Sequence, residues 1–133
     1  MANIGQWSQK NMLDWVLLGA TPTRPSGLWI GLSLGAPTSV SFSEVGAASG
    51  YARQAGSFGA AATPAGLGSA TNNSTAAFGP FSSSAVISGL FLSDTSAIAS
   101  GNNLWFGNLS AVRTPQPGDS LILAQSALVI TLA

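Results

Sequence analysis

Between residues 28 and 34 apolar side chains occupy every second position: Leu28, Ile30, Leu32 and Leu34 alternate with Trp29, Gly31 and Ser33. Successive side chains of a strand point to opposite faces, so this period of two predicts a strand with one strongly apolar face. Trp29 falls on the opposite face, and at least one of the two faces must therefore meet a second layer, a subunit or a ligand. Short runs of apolar, β-branched and aromatic residues recur at 40–45, 51–58, 76–81, 85–93, 103–109, 120–125 and 128–132, separated by turns rich in Gly, Pro, Ser and Asn. Short strands at such regular spacing predict a mainly β fold, an antiparallel β-sandwich or jelly-roll-like architecture, in preference to alternating βαβ units.

One segment breaks the period. Over residues 8–19 the punctuation is that of a short helix, with Ser8 placed to accept from the first free N–H groups and Gly19 suited to the left-handed position after the last turn. Leu13 and Leu17 stack four apart, and Met12, Val16 and Leu18 widen the apolar surface beyond one stripe, which implies more than one partner surface. Pro22 and Pro25 then stop the helix and extend the chain. The stretch 59–74 has little pattern of its own and is expected to be a flexible loop or an arm ordered by a neighbour. With no repeat and no change of composition, residues 1–133 are expected to form one domain.

Composition changes the picture in one respect. Charged residues make up 6% of the chain, against roughly a quarter in an average soluble domain. Ser, Thr, Asn, Gly and Ala must then cover most of the outside, and with zero net charge and a mean hydropathy of +0.37 such a surface carries little repulsion and favours association. The four cations, Lys10, Arg24, Arg53 and Arg113, are scattered, which argues against nucleic acid as a partner. Residues 12–20 are too short to span a bilayer and contain Asp14, so no membrane partner is expected, and the protein is read as made in the cytoplasm.

Absent residues also restrict chemistry. Without Cys or His there is no disulfide, thiolate metal site or histidine base, and no metal or cofactor is expected. Asp14, Glu44, Asp94 and Asp119 lie in different segments and read as solvated or turn-stabilising carboxylates, so the chain is not expected to be an enzyme. Gly66-Leu67-Gly68 lacks the third glycine and the strand-to-helix setting of a phosphate loop. The greatest binding potential lies in Trp7, Trp15, Trp29 and Trp105, since an indole covers a large area and tryptophan is enriched at interface hot spots. With Met12 and Leu18 they form the set of interface candidates; for Trp29 core and interface duty are equally open.

These residues carry a resemblance. The opening Met1-Ala2-Asn3, Leu13-Asp14-Trp15 closing at Leu18-Gly19, Thr21-Pro22-Thr23-Arg24-Pro25, Glu44-Val45 followed by Gly50-Tyr51-Ala52-Arg53-Gln54, Gly89-Leu90-Phe91-Leu92-Ser93-Asp94, Asn103-Leu104-Trp105-Phe106-Gly107, Pro117-Gly118-Asp119-Ser120-Leu121 and Leu128-Val129-Ile130-Thr131-Leu132 follow one another along the chain. In that order they resemble a family of small tailed-phage virion proteins, described variously as tail-fibre proteins or capsid decoration (cement) proteins. Ser126-Ala127 departs from the glycine such proteins often carry before the last strand. The resemblance implies a structural virion protein whose partners are copies of itself, a homotrimer, and the major capsid protein or other virion neighbours. Because the chain is one compact domain's worth of residues, decoration of the outer capsid surface is the expected role. The alternative is a tail-fibre or receptor-binding part, in which Trp29 or Trp105 would stack on a host glycan.

Overall fold

The computed structural model describes residues 3–63, 66 and 68–132. The chain is mainly β, with strands β1 (Asn3–Ile4), β2 (Trp29–Ser33), β3 (Gln54–Ala55), β4 (Gly68–Thr71), β5 (Ala76–Phe78), β6 (Ile87–Ser93), β7 (Asn103–Arg113), β8 (Leu121–Leu123) and β9 (Val129–Leu132), and one α-helix, α1 (Gln6–Leu18). All strand pairs are antiparallel. Five strands form the main sheet in the order β1-β7-β6-β2-β3, and two ribbons, β4-β9 and β5-β8, complete a sandwich-like arrangement.

The period of two in residues 28–34 works as expected, because register carries it across the sheet. Ile30 stands beside Leu92, which stands beside Trp105, while Gly31, Phe91 and Phe106 line up one position along and so point to the other face. On the first face Ile30, Leu32, Leu92 and Leu104 join Phe78, Phe81, Tyr51, Val45 and Ile87 in the buried core, and Leu121, Leu123, Leu128 and Ile130 of the ribbon side pack against them. On the second face Phe42 stacks on Phe91, with ring centroids 3.9 Å apart. A Cβ at Gly31 would enter the Phe91 ring, so only glycine lets that ring lie across β2. Both faces of β2 are thus covered, which is why Ser33 is as buried as Leu32.

Several elements depart from the expected ones, each for a tertiary or local reason. Residues 40–45 were expected as a strand, but Thr38 Oγ1 accepts the Ser41 N–H at 3.1 Å and the Thr38 N–H donates to the Ser41 carbonyl at 2.8 Å, a local turn that displaces strand pairing. Only Glu44 makes an isolated bridge, to Ser33. Residues 51–58 reduce to the two-residue β3, since Tyr51 and Arg53 turn inward to a polar cluster. The stretch 59–74, expected as a loop or arm, carries β4 paired with β9 and bridges Phe58–Asn72 and Ala62–Ser69. Its central Pro64, Ala65 and Leu67 lie outside the described residues, as does the Leu67 of the glycine motif.

The helix ends at Gly19 in the left-handed conformation (φ 67°), as its sequence requires. Its start differs: Gly5, not Ser8, is the N-cap, and Ser8 is buried inside the first turns. The cause is β1, which pairs with β7 and brings the chain so close that a Cβ on Gly5 would overlap the Asn103 carbonyl. The Gly5 N–H donates to Leu104 O at 2.8 Å, so the sheet sets the helix origin.

Candidate functional site

The side of α1 turned to the body carries one large apolar side chain, Trp7, among polar ones. Ser8 is buried and Trp7, Asn11 and Asp14 are half-buried, with Asn11 Nδ2 donating to the Trp7 carbonyl at 2.8 Å and Asp14 paired with Lys10 one turn back. The apolar side chains point to water: Leu13 is 59% exposed, Trp15 60%, Val16 70%, Leu17 73% and Leu18 77%, with Met12 at 38%. A surface helix normally turns its apolar stripe to the core. In α1 the apolar side chains form no single stripe: Trp15 to Leu18 are consecutive and ring the last turn, so while the first turns rest on β7 at the Gly5 junction, much of this apolar surface is left uncovered. No helix among the described residues is long and apolar enough to cross a membrane.

Beside this face lies a groove of about 350 Å³, walled by Trp7, Met12 and Trp15 of α1 and by Pro22, Arg24 and Pro25 of the following extended segment, with Leu28, Leu104 and Trp105 along its base. The register shift between Leu92 and Ser93 leaves Leu104 without a partner on β6; Leu104 is buried in the core and Trp105 borders the groove. Ser8 Oγ and Trp105 Nε1, both on residues lining the groove, are buried without a hydrogen-bond partner. A second hollow of about 660 Å³ lies among β7, β8 and β9, bordered by Leu109, Leu121, Leu123 and Val129.

Of the interface candidates, Trp7, Met12, Trp15 and Trp105 are brought together at the groove. Leu18 is not among the residues lining the groove and is exposed at the end of α1, and Trp29 is half-buried on β2 opposite Ser93 and Ala55. Leu13, Val16 and Leu17 were not among the singled-out residues, although they are as exposed as Trp15 or more so. Their heptad-like spacing was visible; that it points away from the core was not.

All four carboxylates are engaged. Asp94 holds the Asn102 N–H at 2.8 Å and the Asn102 side chain at 2.6 Å, and Asp119 accepts from the Gln116 N–H at 2.9 Å, both turn roles as expected. Glu44 differs from its expected solvated or turn role. It lies within the protein and accepts from Arg53 Nε (2.7 Å) and Nη2 (2.8 Å), from the Tyr51 hydroxyl (2.8 Å) and from the Ala99 N–H (2.6 Å). Arg53 also donates to the Thr95 carbonyl at 2.7 Å and sits over the Phe42 and Phe91 rings. Burial, joined by the Glu44 contact, pushes the Tyr51 phenol well above its ordinary value against the opposing Leu32 N–H and Arg53 charge. Among the described residues no cluster of three or more His, Cys, Asp and Glu could hold a metal ion.

Comparison with known proteins supplies a family. The family model described as podophage GP4 fiber I protein gp80 matches residues 3–131. The chain belongs to that family. It is accordingly a phage fibre-type structural protein and a virion component, which agrees with the sequence resemblance at this level. No curated protein matches the chain.

Proposed function

We propose that the protein is a non-enzymatic subunit of a podophage fibre that works by packing the outward face of α1 against other virion chains. The observation that carries this reading is the uncovered apolar surface of α1: Leu13, Trp15, Val16, Leu17 and Leu18 are between 59% and 77% exposed. The name of the family model supports a fibre over the capsid shell, so the role first held as the alternative is preferred. Every carboxylate is committed to a structural bond, which supports the non-enzymatic part of the reading. Trp29 and Trp105, the expected glycan platforms, are half-buried, so the proposal rests on packing and not on sugar recognition.

Decoration of the capsid is the second reading, favoured by the way both ribbons and the main sheet close on one compact core. Immunogold labelling of purified particles with a count of copies per particle decides between them. Label confined to the tail region, at a few tens of copies or fewer, is the expected result. Hundreds of copies spread over the shell overturn the fibre reading.

A further inference from the structure

We propose that the groove between α1 and the extended segment at residues 22–25 is a binding site for a small amphipathic anion, an acyl chain ending in one carboxylate. This goes beyond the packing reading, because Leu13, Val16, Leu17 and Leu18 do not line the groove.

The first support comes from buried polar atoms. A hydroxyl or an indole N–H is costly to bury unbonded, so such groups nearly always find a partner. The buried Ser33, Ser49, Arg53 and Asn72 side chains all make hydrogen bonds. Among the described residues four buried side-chain atoms make none, and two of them, Ser8 Oγ and Trp105 Nε1, belong to residues lining this one groove. Ser8 is 4% exposed, so bulk water does not take the place of a partner. An indole N–H only donates and a hydroxyl is able to donate, so both atoms call for an acceptor.

The walls give the second support. Trp7, Met12, Trp15, Leu28 and Leu104 offer apolar contact along a space of about 350 Å³, the size of a small-molecule site. A thioether among rings adapts to a flexible chain. A sugar would instead bring several hydroxyl donors that these walls leave unpaired.

Charge gives the third. Arg24 is the single charged residue of the lining, is exposed, and takes part in neither ion pair. A guanidinium meets a carboxylate through two parallel N–H donors, so an anionic head suits this rim. A quaternary ammonium, which tryptophans otherwise attract, would face a like charge at Arg24 and a donor-only N–H at Trp105. A carboxylate supplies both the acceptor oxygens and the complementary charge.

The test titrates the full chain with decanoate below its micelle concentration and follows tryptophan fluorescence, since three of the four tryptophans line the groove. Decanol and decyltrimethylammonium, of the same chain length, are titrated in parallel. Saturable binding of one decanoate per chain is expected, about fivefold tighter than decanol at low salt, with the ammonium weaker still. Arg24→Gln is expected to bring decanoate to the decanol level and to leave decanol unchanged, while Arg24→Lys keeps part of the preference. Leu17→Ser, exposed and outside the lining, is expected to bind as the wild type. Absence of saturable binding, equal affinity for the three amphiphiles, or an Arg24→Gln variant that keeps the preference overturns the proposal. So does loss of binding in a folded Leu17→Ser variant, which moves the ligand to the exposed end of α1. If Arg24→Gln fails to fold, the wild-type order of the three amphiphiles decides. None of these outcomes depends on contacts with other virion chains, which the labelling experiment addresses separately.

Discussion

Glu44 takes four hydrogen bonds from three residues in two segments, because Tyr51, Arg53 and Ala99 all converge on its two oxygens. Both charged side chains of the pair are at most 2% exposed, so each depends on the other for the solvation it has lost. Removing one partner of such a pair leaves an uncompensated buried charge, which costs about 3–5 kcal/mol. Arg53→Ala and Glu44→Ala are each expected to lower unfolding free energy by that amount in urea titration, a large part of the total of a domain this size. A loss below about 1 kcal/mol in either variant contradicts the buried-pair account.

Tyr51 carries the pH dependence of the same cluster. Its phenol is raised from 10.0, chiefly by burial. Below the ordinary tyrosine value the folded and unfolded chains both keep the proton, and the phenol's contribution to stability is complete. As pH rises past about 10 the unfolded chain ionises first, so stability falls with pH until the folded group also titrates. Because the chain contains one tyrosine, phenolate absorbance reports this residue alone. It is expected to appear together with unfolding at alkaline pH; phenolate forming near pH 10 in a fully folded protein contradicts the geometry.

Among elements, the β4-β9 ribbon shows how a polar residue can organise a segment without apolar pattern. Asn72 is 1% exposed; its Nδ2 donates to the Ser74 and Ala124 carbonyls at 2.8 and 2.9 Å, and its Oδ1 accepts the Leu128 N–H at 2.8 Å. It thereby joins the end of β4 to the turn before β9. Asn72→Ala removes three hydrogen bonds to the backbone of neighbouring segments, each worth about 0.5–1.5 kcal/mol, and empties a buried site. The expected result is a loss of about 2–4 kcal/mol in stability and accelerated amide exchange in residues 68–72 and 129–132, measured by hydrogen exchange. Leaving α1 protected in the same experiment separates a local ribbon effect from global unfolding.

The boundaries of these elements divide by cause. α1 stops where Gly19 was expected to stop it, since a left-handed residue is a local requirement. Its start moved from Ser8 to Gly5 because that boundary depends on how closely the chain passes Asn103, a residue almost a hundred positions away. β4 was not expected because Gly68, Ser69, Ala70 and Thr71 show no alternation; their pairing comes from Leu132, Thr131, Ile130 and Val129 opposite.

At the scale of the whole molecule, two of the four cations are spent on internal ion pairs, Lys10 with Asp14 and Arg53 with Glu44. The proposed contacts through α1 would rest on apolar burial, which salt does not screen. Particles washed at about 1 M salt, where the screening length falls to about 3 Å, are expected to retain the protein in full. Release at moderate ionic strength, followed by immunoblot of the wash, contradicts an apolar attachment.

The sequence by itself determined that the protein is β-rich with one short helix and poor in charge. Those properties follow from side-chain period, turn residues and composition, which act locally or as sums over the chain. Tertiary structure alone decided that Glu44 is buried among Tyr51, Arg53 and Ala99, and that the apolar side chains of the last turns of α1 stay exposed. A helix's period states which residues share a side, but the side turned to the core depends on where β7 and Gly5 anchor its first turn. That anchor leaves Val16, Leu17 and Leu18 outside the core.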